Sequence, residues 1–171
     1  NLISTTNWLV NVDKRLSLRQ AIPHIKFMQD KKRNAQMHKN EYAKNFYTCN
    51  NASINNLGFI EFTDVFYKNE NPDFIEFSKS NQEDYTLIKF YQDGSIRLID
   101  LDGDVKIMLA EIKDIKKYSD FYELLESIES NHIILFFEDT LSFQGYITIK
   151  SYLDQLPSDV LKISKIEYLF Q

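Results

Sequence analysis

Asp100, Asp102, Asp104 and Glu111 stand at the spacing of positions 1, 3, 5 and 12 of a calcium-binding loop. Carboxylates at that spacing can wrap a hard cation with oxygen ligands. The loop's sixth position must turn sharply and is normally glycine, but here it is Val105. The segment leading in is β-rich rather than helical, so an acidic β-turn is the preferred reading, and no metal ligand is assigned. A second carboxylate pair, Glu138-Asp139, follows an apolar run. Carboxylates at strand ends serve as acids, bases or metal ligands. With no histidine beside them in sequence, Asp139 is expected instead to open or cap the following helix.

The remaining reactive side chains form no catalytic set. His24, His38 and His132 have no metal-ligand spacing to one another or to Cys49. Cys49 is the single cysteine, with no activating neighbour, and is read as a structural thiol. Asn51-Ala52-Ser53 fits a glycosylation sequon, a pattern short enough to arise by chance. Four glycines in the whole chain leave little for a phosphate-cradling loop. No cofactor and no small-molecule substrate is therefore assigned.

The chain has 171 residues, 43% hydrophobic and 26% charged, which is a globular composition rich in Phe (13) and Tyr (10). Its net charge of −5 is unevenly spread. Residues 1–48 carry nine Lys/Arg against three Asp/Glu, and residues 49–171 carry eleven against twenty-two. The overall acidity argues against nucleic acid as the partner. No apolar run reaches the ~20 residues that a spanning helix needs. The chain starts at Asn1 rather than Met, and the expectation is that a leader or anchor has been removed.

The elements that must position these residues divide into an N-terminal extension, 1–80, and a core domain, 81–171. In the extension, 4–12 reads as a strand. A long basic helix is expected from about His24, just after Pro23, to about Phe46. Its stripe is Ile25, Met28, Lys32, Ala35, Lys39, Tyr42 and Phe46. Residues 48–56 read as a polar loop. Residues 58–67 read as one strand with Ile60, Phe62, Asp64 and Phe66 on one face, and 74–77 as another short strand.

In the core, runs 85–91 and 95–101 flank Gln92-Asp93-Gly94, a strong hairpin signal. Residues 105–115 follow as strand or helix. Phe121, Leu124, Leu125 and Ile128 give an amphipathic helix over 119–130 capped by Ser119. Ile133-Ile134-Leu135-Phe136-Phe137 is wholly apolar and reads as a strand buried on both faces. A helix over 143–156 and a closing strand over 160–170 complete the pattern. The expected fold is α+β, a mixed sheet with two helices packed on one face in the order β-hairpin-α-β-α-β.

This order resembles the periplasmic domain of the ExbD/TolR family of energy-transducing membrane proteins. The matching features are Leu87 to Leu98 around Asp93-Gly94, the helix 119–130, and the apolar strand ending at Asp139. Gly145-Tyr146 then leads into Leu153-Asp154-Gln155-Leu156, and Leu161-Lys162-Ile163-Ser164 opens the last strand. The likeness covers about half the chain. The loop after Asp139 is about two residues longer than the family pattern, residues 1–80 have no counterpart in it, and the family's membrane helix with its proton-coupled aspartate is not in this sequence. The resemblance implies a non-enzymatic, protein-interacting, homodimeric periplasmic domain, tied to the membrane only through a segment outside this chain. Strand addition is expected along 160–170 through Lys162, Ser164, Lys165 and Glu167, with Lys31, Lys32 and Arg33 as a second contact surface. The alternative is a cytoplasmic acidic protein of the immunity or antitoxin type, covering a basic toxin. A metal-dependent hydrolase using the carboxylates above ranks third.

Overall fold

A computed structural model describes residues 6–35, 40–51, 56–70, 85–101, 125, 128, 132–155 and 161–171. The fold is mixed α+β. Strands β1 (Trp8–Val10), β2 (Asn45–Asn51) and β3 (Asn56–Glu61) form one sheet in that order, β1 parallel and β3 antiparallel to β2. The second sheet contains β4 (Phe66–Asn69), β5 (Tyr85–Phe90), β6 (Ile96–Leu101), β7 (His132–Glu138) and β8 (Lys162–Phe170). Its order is β4-β8-β7-β5-β6, and only β6 runs antiparallel to its neighbour. The described helices are α1 (Leu18–Arg33) and α2 (Phe143–Leu153).

β7 is the strand the sequence marks most clearly, and it is buried from Ile133 to Phe137. Its alternate side chains enter two cores. Ile133, Leu135 and Phe137 join α1, α2 and the three-stranded sheet on one side. Ile134 and Phe136 join Leu87, Tyr168 and Phe170 on the other. At roughly 25 cal/mol per Å² of apolar surface removed from water, this two-sided burial is the main stabilising term of the fold. The hairpin β5-β6 closes with Gly94 at φ +83, a left-handed conformation that favours glycine. Gly94→Ala is expected to cost about 1 kcal/mol through backbone strain alone, because nothing lies within 4 Å of a Cβ there. A denaturation curve checks this.

Several expectations require correction. The helix does not run 24–46. It starts at Leu18, with Gln20 Oε1 accepting from the Ser17 N–H at 3.0 Å, and carries Pro23 inside it. It stops at Arg33, and residues 45–51, expected as helix end and loop, form β2. Local signals failed there because Phe46, Tyr47 and Thr48 are strand formers whose partner, β3, comes later in sequence. The strand expected over 58–67 is two strands broken around Thr63-Asp64. The break reverses the facing, so Tyr67 is buried and Phe66 exposed. The strand 160–170 is not a free edge, since β4 pairs with it from Ile166 to Leu169. Residue 80 does not separate two cores, because α1, β2, β3 and β4 share one cluster with β5 to β8. The helix cap is Ser142, whose Oγ accepts from the Gly145 N–H at 3.1 Å, and not Asp139. The strand 74–77, the segment 105–115 and most of the helix 119–130 lie outside the described residues, although Leu125 is helical and buried.

Candidate functional site

A polar chain runs through the larger core. Tyr47 on β2 places its hydroxyl 2.6 Å from that of Tyr67 on β4. The Tyr67 hydroxyl lies 3.1 Å from that of Tyr146 on α2. Tyr146 donates to Glu167 Oε2 on β8 at 2.8 Å, and Lys150 Nζ donates to Glu167 Oε1 at 2.5 Å. Each element has a local reason to deliver its group. Tyr146 and Lys150 are four apart on α2 and so lie on one helical face. Glu167 follows a register shift between β7 and β8, where Ile133 pairs with Ile163 but Leu135 with Glu167. The two extra residues on β8 preserve the alternation and keep Glu167 pointing to the helix side.

The chain has a direction. The carboxylate only accepts, so Tyr146 spends its one proton on Glu167. Its oxygen must then accept from Tyr67, and Tyr67 in turn from Tyr47. Burial raises the pKa of all three phenols, and the nearby Glu167 charge raises each further, as does the Tyr67 contact for Tyr47. At neutral pH they are neutral donors, unsuited to act as bases or nucleophiles. Packing fixes their rings: Tyr47 stacks on Phe62 at 3.8 Å, and Tyr146 meets Phe137 edge-on at 5.0 Å.

At its outer end the chain meets a cleft of about 320 Å³, lined among others by Thr63, Asp64, Lys150, Asp154, Ser164 and Lys165. Ser164, Lys165 and Glu167, singled out from the sequence, thus come together. They differ in availability. Glu167 is 1% exposed and spent on Tyr146 and Lys150, whereas Lys165 is exposed and 2.9 Å from Asp64. Lys162 is exposed at the start of β8.

The basic end of α1 is mostly turned inward. Lys31 is exposed. Lys32 is buried and donates to Thr6 O (3.2 Å), Lys44 O (3.4 Å) and Asn45 Oδ1 (2.6 Å). Desolvation lowers its pKa. Arg33 donates to the Thr63 and Val65 carbonyls and lies over the Phe66 ring at 4.0 Å. Lys32 and Arg33 therefore clamp strand ends, and of the three only Lys31 is exposed.

The carboxylates at the end of β7 are also structural. Glu138 accepts from the Gln92 N–H and the Thr140 hydroxyl, tying the hairpin turn to β7. Asp139 faces Arg19 at 3.6 Å. Asp100 sits in β6 opposite Thr86, while Asp102, Asp104 and Glu111 lie outside the described residues. Among the described residues no group of three His, Cys, Asp or Glu could hold a metal ion. His24 is exposed on α1, His132 opens β7 beside Tyr85, and His38 is outside the described residues. Cys49 and Asn51 lie in β2 opposite Gly58 and Asn56.

The tyrosine chain was missed in the sequence because its members lie on four elements. The readable part was the four-residue spacing of Tyr146 and Lys150, together with a glutamate in an otherwise apolar stretch of the last strand. No helix among the described residues is long and apolar enough to cross a membrane. Comparison with protein-family models, with curated proteins and with solved structures finds no match to this chain.

Proposed function

We propose that this chain is a non-enzymatic protein-interaction domain, the periplasmic part of an ExbD/TolR-like energy-transduction unit. The observation that carries the reading is the order of the second half. The hairpin β5-β6 is followed by β7, α2 and β8, with β7 parallel to and between β5 and β8. The hairpin turn at Asp93-Gly94, the apolar strand His132–Glu138 with Asp139 after it, and a helix over Phe143–Leu153 that contains Gly145-Tyr146 support the reading. The tyrosine chain supports a binding role, since its donors and its carboxylate are engaged with one another. The partner surface is the rim of the cleft at Ser164 and Lys165, with Lys162 beside it.

The test is fractionation of the intact gene product with a cysteine cross-linker at Lys165. The expected result is recovery in the cell envelope, with a cross-link to a TonB-like protein that a cysteine at exposed Tyr42 does not give. Recovery in the cytoplasm bound to a basic toxin would overturn the reading in favour of an immunity-type protein.

A further inference from the structure

The chain contains one unit twice. Leu16-Ser17-Leu18-Arg19-Gln20-Ala21-Ile22 aligns with Leu141-Ser142-Phe143-Gln144-Gly145-Tyr146-Ile147. Each Ser is the N-cap of a helix that links two parallel neighbouring strands: β1-α1-β2 in the first unit and β7-α2-β8 in the second. The two Ser pair as an isolated antiparallel bridge. Around it the hydrogen bonds repeat with the same offset. Leu18 N–H to Leu141 O (2.9 Å) matches Phe143 N–H to Leu16 O (2.7 Å). Arg19 N–H to Asp139 O (2.9 Å) matches Gln144 N–H to Lys14 O (3.1 Å). A local two-fold axis therefore relates the units, and β1 is the counterpart of β7.

The counterparts differ in cover. On the side away from β8, β7 carries β5 in parallel, with Leu87 beside Ile134. On the side away from β2, β1 has no strand among the described residues. Ile134 is 4% exposed, whereas its counterpart Leu9 is 57% exposed. Trp8 and Val10 are partly exposed, whereas Ile133 and Leu135 are fully buried. The Trp8 N–H points to Lys44 O, just before β2, so the backbone alternation turns the Leu9 N–H and C=O to the side away from β2.

We propose that the edge of β1 away from β2, which carries no strand among the described residues, accepts an extended segment of a partner protein. It adds parallel to Trp8–Val10 in the place β5 holds on β7, with an apolar side chain beside Leu9. The internal repeat defines the chemistry of this segment, which is that of Tyr85-Thr86-Leu87-Ile88-Lys89-Phe90, mostly apolar, with one polar residue on each face. The inference rests on the protein-interaction reading but not on the ExbD/TolR likeness.

The probe is a capped synthetic peptide of the sequence Tyr85–Phe90, added to the whole chain and followed through backbone amide NMR shifts. Expected are saturable shifts at Trp8, Leu9 and Val10, absent with a scrambled peptide. Leu9→Pro, which deletes the donor on that edge, is expected to weaken binding by about tenfold or more. Leu9→Ser keeps the donor, loses the apolar contact and is expected to weaken it less. A thermal melt of each variant shows that it is folded. Shifts confined to β3 would overturn the inference and leave the protein-interaction reading standing. Absence of any shift at ~1 mM peptide would overturn it. Shifts at β1 that depend on protein concentration without peptide would overturn it in favour of a second copy.

Discussion

Glu167→Ala is expected to cost roughly 3–5 kcal/mol of folding stability, a large part of what a domain of this size possesses. The carboxylate is 1% exposed and neutralises Lys150, whose side chain is 13% exposed. Removing it strands an ammonium group in the core wall and takes the acceptor from the Tyr146 hydroxyl. Glu167→Gln keeps an acceptor for Tyr146 and loses only the charge, so its cost is expected to fall between wild type and Glu167→Ala. Lys150→Met removes the ammonium with little loss of volume. In that background Glu167→Ala is expected to cost less than in wild type. Urea denaturation of the four proteins forms the cycle. Equal losses with and without Lys150 would show that the pair is not coupled and that only the tyrosine contact matters.

The chain that Glu167 anchors links the two sheets through side-chain hydrogen bonds. Tyr47 belongs to the three-stranded sheet, Tyr67 and Glu167 to the five-stranded sheet, and Tyr146 to α2. A fully satisfied buried network is directional where apolar contacts are not, so it fixes how these elements meet. The Lys32 and Arg33 clamps do the same at the base of α1.

Much of the second half was legible in the sequence, for identifiable reasons. The β5-β6 hairpin is a local event, dictated by Asp93-Gly94 between two β-branched runs. β7 declares itself because a strand buried on both faces has to be apolar at every position. The first half was less legible. Pro23 is a strong helix-start signal, yet tertiary contacts of Leu18, Ala21 and Ile22 carry the helix back to Ser17. Lys32 and Arg33 look like a solvated basic face in sequence. Their targets are carbonyls of Thr6, Lys44, Thr63 and Val65, groups that every residue has and that no pattern reveals. Glu167 was picked out as a surface contact for the same reason, since period-2 alternation cannot show which face of the last strand meets a lysine from α2.

The three phenols are also expected to make the fold steeply base-labile. Tyr47, Tyr67 and Tyr146 keep their protons in the folded chain well above the ordinary value of 10.0, chiefly because burial disfavours tyrosinate. In the unfolded chain they ionise near 10.0. Above that pH the unfolded state binds fewer protons than the folded one, so stability is present below 10.0 and lost as pH rises. Each such proton corresponds to about 1.4 kcal/mol per pH unit, and three give about 4 kcal/mol per unit. Lys32 and Lys89 act in the opposite sense, since desolvation lowers both below 10.5. Their unfolded forms bind more protons, so they add stability as pH rises towards 10.5 and nothing beyond it. The expected profile is therefore shallow up to pH 10.5 and steep above it. Denaturant midpoints across this range measure the slope, and tyrosinate absorbance shows whether these phenols ionise only on unfolding. Tyr47→Phe removes the terminal donor, whose hydroxyl accepts from no other in the chain, and is expected to lower the slope by about one proton. If all ten tyrosines titrated together while the protein remained folded, the buried chain would be open to solvent and the profile would be flat.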